Sequence, residues 1–270
     1  MAQPSADWRI VQDANDGDVE AFLLQDRVWN CFALADLEQP LRVYSQFALA
    51  YRWDMPQASC LIFRHPIIGE VLSPFGSGEG VAALLQQIEG LPAYPLIQVQ
   101  EAHIPALQQR YRAEPSWRGM WRMAVTARSS RAPAQRTPQP IRQLTRADLP
   151  ALQQLYDQQS EVVFSAELFP QSLFFGASDG GRVIAAGGTH ALTPAYQVAV
   201  LGHILTAPEA RRQGYAGAIT AALADTLGQR QFSTIVLNVF ADNQPAVRVY
   251  ARLGFQAVHK MVTGRATLLT

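Results

Sequence analysis

ILTAPEARRQGYAGAITAALADTL (residues 204–227) reads as a strand, then a glycine-containing turn, then a helix with one apolar face. Tyr215, Ile219, Ala222, Leu223 and Leu227 supply that face, and the periodicity places the helix over residues 212–228. The first N–H groups of a helix have no intrahelical partner, and the aligned peptide dipoles add about half a positive charge there. Gly214 lets the backbone approach a ligand where a Cβ would intrude, and Ala216 and Gly217 keep the approach open. Arg211 and Arg212 can add charge-assisted contacts. This is an arrangement that holds a phosphate or diphosphate on bare backbone.

Downstream, residues 234–239 form a β-branched strand, and Asn243 opens a helix whose inner face is Ala246, Val249, Tyr250 and Leu253. Gly254 ends it. Residues 256–263 read as a last long strand, with an edge strand at 265–269. Upstream lie strands near 141–144, 172–177, 182–190 and 197–206. Thr145 with Asp148 has the spacing of a capping box, and Leu149, Leu152, Leu155 and Tyr156 form a helical stripe behind it. Hairpins come early and α/β crossovers late. The fold class is α/β in the α+β sense: a mixed, mostly antiparallel sheet flanked by helices.

Residues 127–140, ARSSRAPAQRTPQP, carry no apolar periodicity and read as a linker between two similar halves. The first half resembles a worn copy of the second. IGEVLSPFGSGEGVAALLQQI (68–88) lies on LGHILTAPEARRQGYAGAITAAL (201–223), with Gly69 on Gly202, Leu72 on Leu205, Ser73 on Thr206 and, after a one-residue gap, Gly80 on Gly214. LIQVQ, a helix through Leu107 and Tyr111, and WRMAVT (121–126) echo LNVF, the helix through Tyr250, and HKMVT (259–263). A duplicated α/β unit follows. Ser77 stands where the second half has Arg211, so the first half is expected to have lost the phosphate site and to keep a structural or substrate-shaping role.

These motifs together resemble the GNAT superfamily of acyl-coenzyme A-dependent N-acetyltransferases over residues 141–265. Arg211, Gly214 and Ala216 fall on its phosphate-binding signature, and Asn243, Ala246, Tyr250 and Leu253-Gly254-Phe255 on its second motif. The resemblance implies a degenerate GNAT-like unit at 1–127, a linker at 128–140 and a catalytic GNAT unit at 141–270 that carries the cofactor site. It implies acetyl-CoA, or another acyl-CoA, as cosubstrate. Leu205, Thr206 and Ala207 would offer backbone groups to the pantetheine arm, as to an added strand. Arg211, Arg212, Gln213, Gly214, Tyr215, Ala216 and Gly217 would hold the diphosphate, and Asn243 would hydrogen-bond the arm. One N–H on the 204–207 stretch could polarise the thioester carbonyl. Tyr250 would act as general acid to the departing thiolate, the free phenol titrating near 10 and a thiol about 8.5. The reaction would be direct attack by an amine in a ternary complex. The base is open: His203 or His190 on the strands, Glu161, Glu167 or Glu209 near the loops, or water.

Composition narrows the alternatives. The chain is 49% hydrophobic and 16% charged, so it can bury a core, and its formal net charge is zero, so no global field favours nucleic acid or an anionic membrane. Two cysteines, Cys31 and Cys60, make neither a disulfide framework nor a zinc site and read as small buried hydrophobes; no metal is expected. No export signal and no membrane-length apolar run is present, which points to the cytoplasm. An acceptor of small size is favoured over a protein lysine, and a homodimer stays open. Two other readings compete: a non-catalytic acyl-CoA-binding or sensory module, which would not need Tyr250, and a dinucleotide enzyme suggested by GEGVAA (78–83) with Glu101 further on. Trp117 and Trp121 alternate with Arg118 and Arg122 as on a half-buried strand.

Overall fold

A computed structural model describes residues 8–126, 137–158, 164 and 166–269. Most of the expected linker therefore lies outside the described residues, as does Glu161 and the side chain of Glu167. Backbone contacts divide the chain into two compact units, Met1–Trp121 with His259–Thr270, and Arg122–Val258. This differs from a cut at 127–141: the last strand packs with the first unit, because its residues 261–265 pair with residues 96–100.

In the first unit the strands are β1 (Arg9–Val11), β2 (Ser45–Arg52), β3 (Met55–His65), β4 (Gly69–Gly76), β5 (Leu96–Gln100) and the first part of β6 (Tyr111–Thr126). Helices α1 (Asp16–Leu23) and α2 (Cys31–Ala35) precede β2, α3 (Gly78–Gln87) joins β4 to β5, and α4 (Ile104–Leu107) follows β5. β1 with β2, β2 with β3, β3 with β4 and β5 with the last strand pair antiparallel, and β4 pairs with β5 in parallel. Leu84 and Leu85 of α3, Ile62, Leu72, Ile97 and Val99 form its core.

The second unit repeats the plan. Strands β7 (Arg142–Gln143), β8 (Phe174–Asp179), β9 (Arg182–Thr193) and β10 (Val198–Thr206) are antiparallel neighbours, and β10 pairs in parallel with β11 (Thr234–Phe240). Helix α5 (Leu149–Asp157) buries Leu152, Leu155 and Tyr156, and the capping box of Thr145 and Asp148 opens the turn before it. Helix α6 (Tyr215–Gln229) makes the β10-to-β11 crossover; α7 (Gln244–Arg252) follows β11. The strand β12 (Gln256–Leu268) is continuous, so 265–269 is no separate edge strand: its residues 264 and 265 still pair with β5.

Two further expectations change. The helix after β5 is a single turn that ends at Leu107, and Tyr111 opens β6 instead of lying on that helix. The Tyr111 side chain is buried in the core and its hydroxyl donates to the Pro92 carbonyl, so it has no counterpart of Tyr250's helical station. Gly80 is not the equivalent of Gly214 either. The Ser77 hydroxyl accepts from the Gly80 N–H, capping α3 internally, and a Cβ on Gly80 would lie 2.8 Å from the Ala58 Cβ. Gly80 thus serves the close packing of α3 on β3, and Glu101 pairs with Lys260 at 2.7 Å, which removes the physical basis of the dinucleotide reading. Cys31 and Cys60 are buried and not disulfide-bonded, as expected. Trp117 packs against the core and Arg122 is buried with its Nε donating to Asn238 Oδ1, the pattern of a half-buried strand.

The two glycines of this turn separate by substitution. Gly80→Ala should destabilise by about 1–3 kcal/mol through overpacking. Gly78→Ala, whose Cβ meets nothing within 4 Å, should be neutral or stabilising by up to about 1 kcal/mol. Urea denaturation midpoints read both; equal effects would contradict the packing assignment.

Candidate functional site

The site is built where β10 leaves β11. Parallel pairing joins Val198 through Leu201 to Thr234 through Leu237 and stops there, while the antiparallel pairing with β9 continues to Thr206. From Gly202 onward β10 carries an edge that β11 does not cover. Residues 198–201 are buried and 202–206 half-buried, as an edge opening towards solvent requires. Thr206 lies on this released edge, whereas Leu205, two residues before Ala207 and in register with Ala186, turns its backbone groups to β9. Ala207 does not serve it: its N–H donates to the Ile184 carbonyl and its own carbonyl accepts from Ala210.

The edge runs into the helix start. After one 3-10 turn (Pro208–Ala210), Arg212 at φ 62° and Gly214 at φ 86° take left-handed conformations, so α6 begins at Tyr215 and not at Arg212. The first helical bond is Ala218 N–H to the Gly214 carbonyl. The N–H groups of Tyr215, Ala216 and Gly217 precede it, and Gly214 has no side chain to cap them. Arg211 and Arg212 are exposed beside this turn, with the Arg211 Nε donating to the Thr206 carbonyl at 3.3 Å. The Gln213 amide donates to the Glu209 carbonyl, and Glu209 pairs with Arg182 at 3.0 Å. These contacts fasten the turn from its outer side. Tyr215 contributes only backbone: its side chain is buried and its hydroxyl accepts from the Gln139 N–H at 3.0 Å.

On α7, Asn243 is the N-cap, its Oδ1 accepting from the Ala246 N–H. Tyr250 is buried, its ring edge-on to Phe255, and among the described residues nothing hydrogen-bonds its hydroxyl. Burial raises its pKa to about 12.

The two candidate histidines come together, which their separation in sequence did not show. Their rings stack at 4.1 Å and 8°. Burial, then the neighbouring His190, lowers the His203 pKa to about 3, and desolvation draws that of His190 below the usual imidazole value. His190 is an exposed residue of β9, which decides that a ligand can reach it. Tyr156, Phe164 and Phe174 surround His203 at ring distances of 5.8–6.1 Å. Glycines inside both strands, Gly187, Gly188 and Gly202, were the sequence signal for bulges or close approach that could have revealed this pairing. Among the described residues no cluster of three His, Cys, Asp or Glu is placed to hold a metal, and no helix is long and apolar enough to cross a membrane.

Comparison with known proteins agrees with this geometry. Residues 139–255 match the model of the acetyltransferase (GNAT) family. A Drosophila protein of known structure matches with a TM-score of 0.69 at 16% identity, covering 98% of this chain and 99% of its own. A GCN5-related N-acetyltransferase from Sphaerobacter thermophilus gives 0.56 at 17% identity over 96% and 95%. A tandem GNAT protein from the clavulanic acid biosynthesis pathway gives 0.58 at 12% identity over 97% and 98%. These likenesses establish the fold, including its two GNAT-like units. No curated protein sequence matches the chain.

Tyr215→Phe should cost about 1 kcal/mol of stability by removing the acceptor for Gln139. It should leave acyl-CoA affinity within twofold, because the helix start offers its N–H groups regardless of the side chain. Thermal unfolding and calorimetric titration check the two halves of this expectation.

Proposed function

We propose that the chain, whose residues 139–255 match the GNAT acetyltransferase family model, is an acyl-CoA-dependent N-acyltransferase that passes an acetyl or other small acyl group to an amine in a ternary complex. The observation that carries this reading is the continuity of two backbone features: an uncovered strand edge from Gly202 and, directly after it, an uncapped helix start at Tyr215. An extended arm with amide groups matches the first, and a diphosphate matches the second.

Arg211, Arg212, Gln213, Gly214, Ala216 and Gly217, with the backbone of Tyr215, would hold the diphosphate. Thr206 would pair with the arm through its backbone groups, which face away from β9. Asn243 would contribute through its amide nitrogen, since its oxygen is engaged in the cap. Attack of the amine nitrogen on the acyl carbon forms the C–N bond; the C–S bond breaks, and the thiolate takes a proton. Tyr250 supports this last step, but not as a free acid. A proton moving from a phenol near 12 to a thiolate near 8.5 would climb by on the order of 5 kcal/mol if both groups kept those values. The phenol therefore acts chiefly as a hydrogen-bond donor that stabilises charge growing on sulfur. A desolvated thiolate is more basic, which narrows the gap as the bond breaks.

The amine must shed a proton as well. At neutral pH both histidines are uncharged and weakly basic, so water is the better carrier for that proton. The unpartnered Tyr250 hydroxyl favours a catalytic chain over a purely sensory one, which would have no use for it.

Gly214→Val should weaken acyl-CoA binding at least tenfold, about 1.4 kcal/mol, since the new side chain enters the cradle and the backbone there is left-handed. Unchanged affinity by calorimetry, with the fold intact by circular dichroism, would remove the proposed diphosphate site. Tyr250→Phe should lower kcat by about 10²-fold with the KM for acyl-CoA little changed. Tyr250 stays protonated below its raised pKa, so its titration should produce no fall in kcat below about pH 10. A descending limb near pH 9 that disappears in the Phe variant would contradict the burial effect.

A further inference from the structure

His190 and His203 are each placed by an irregularity in the sheet. Between the pairs Val200 with Ala191 and Leu201 with Thr189, His190 is the extra residue of β9. Between the pairs Gly202 with Gly188 and Leu205 with Ala186, the extra residue belongs to β10, at His203–Ile204, and His203 adopts φ 54°. Bulges on two neighbouring strands thus re-aim two imidazoles onto each other. A left-handed histidine is strained, and such strain persists where the surroundings fix it. Here the Tyr156 hydroxyl donates to the His203 carbonyl, and Phe174 stacks on its ring at 5.8 Å. Gly188 leaves room for that phenylalanine: a Cβ there would lie 2.7 Å from the Phe174 ring.

His190 rests on bare backbone. A Cβ on Gly202 would lie 1.5 Å from its Cδ2 and 2.0 Å from its Nε2, so the ring occupies the space a side chain at 202 would take. Gly202 is also the first residue of β10 beyond the β11 pairing. His190, an exposed residue, therefore lies over the apex where the two strands part, while His203 is enclosed by Tyr156, Phe164 and Phe174 and its Nδ1 has no hydrogen-bond partner among the described residues.

We propose that His190 receives the acceptor substrate, its neutral imidazole accepting a hydrogen bond from the attacking nitrogen at the apex of the β10–β11 opening, and that His203 is a positioning residue that fixes the His190 ring by stacking. This rests on the acyl-transfer reading above. No proton is transferred to His190; it orients the nitrogen so that the N–H points at imidazole and the lone pair at the acyl carbon, and orientation is a large part of the rate when both reactants are bound.

Steady-state kinetics with acetyl-CoA and the best acceptor from a panel of primary amines test it. His190→Leu should raise the acceptor KM tenfold or more while the acetyl-CoA KM stays within twofold. His190→Gln, which keeps an acceptor oxygen, should recover to within about threefold of the parent. Gly202→Ala, by displacing the ring, should reproduce the His190→Leu effect and add nothing in the His190→Leu background. His203→Asn, which tolerates the left-handed backbone but cannot stack, should raise the same KM. The proposal is overturned if His190→Leu leaves the acceptor KM unchanged or moves both KM values alike. It also falls if Gly202→Ala is as harmful without the His190 ring as with it. A parent enzyme that binds acetyl-CoA yet is silent with every amine would overturn the acyl-transfer reading itself, and this proposal with it.

Discussion

Backbone N–H and C=O groups released from a ladder in mid-sheet must be satisfied by something, and this constraint governs the second unit. β10 keeps its pairing with β9 to Thr206 but loses β11 after Leu201. The separation is held from several sides. Two bulges twist the β9–β10 pair, the glycines at 187, 188 and 202 admit neighbours where side chains would collide, and the Ala207 groups anchor the strand end to Ile184 and Ala210. What the divergence leaves is a polar edge at residues 202–206 that ends within a few residues of uncapped helix N–H groups. One extended ligand with an anionic end satisfies both.

The first unit shows what the same plan becomes without that demand. It too has a parallel step, from β4 through α3 to β5, with pairing limited to Val71 with Leu96 and Leu72 with Ile97. Its free groups are answered from within. Ser77 caps the helix start, and Pro74 has no N–H to offer. Gly80, the residue that aligns with Gly214, meets Ala58 instead of open space. The two units share a backbone course and differ in who satisfies it.

Much of this was legible in the sequence, and what was not has a physical reason. The β10–turn–α6 order, the α7 face with Tyr250, the capping box at Thr145 and the duplication rest on local periodicity and turn chemistry, which a linear reading detects. Apolar spacing puts the start of α6 three residues early because it cannot register the left-handed residues Arg212 and Gly214. Tyr111 fits a helix by its i, i+4 step from Leu107, yet it opens β6 with its hydroxyl bonded to the distant Pro92 carbonyl, a non-local contact. The partnership of His190 with His203 depends on register across two bulges, and register is a tertiary property. The end of β12 reads as local sequence, but its pairing with β5 is non-local.

The two ends of the site differ in electrostatic character, and this bears on the proposed chemistry. At the helix start the field is positive, from the peptide dipoles and the exposed Arg211 and Arg212. Burial holds Tyr250 and His203 uncharged at neutral pH. Surroundings that resist imidazolium at His203 for reasons of desolvation would resist an ammonium for the same reason, so an amine seated beside them would be pushed towards its neutral form. That is the form with a lone pair to give. On the proposed reading the enzyme therefore has less need of a strong base than its reaction suggests: desolvation lowers the amine's own pKa, water carries the proton away, and the fixed groups have only to orient the nitrogen and meet the charge that appears on sulfur.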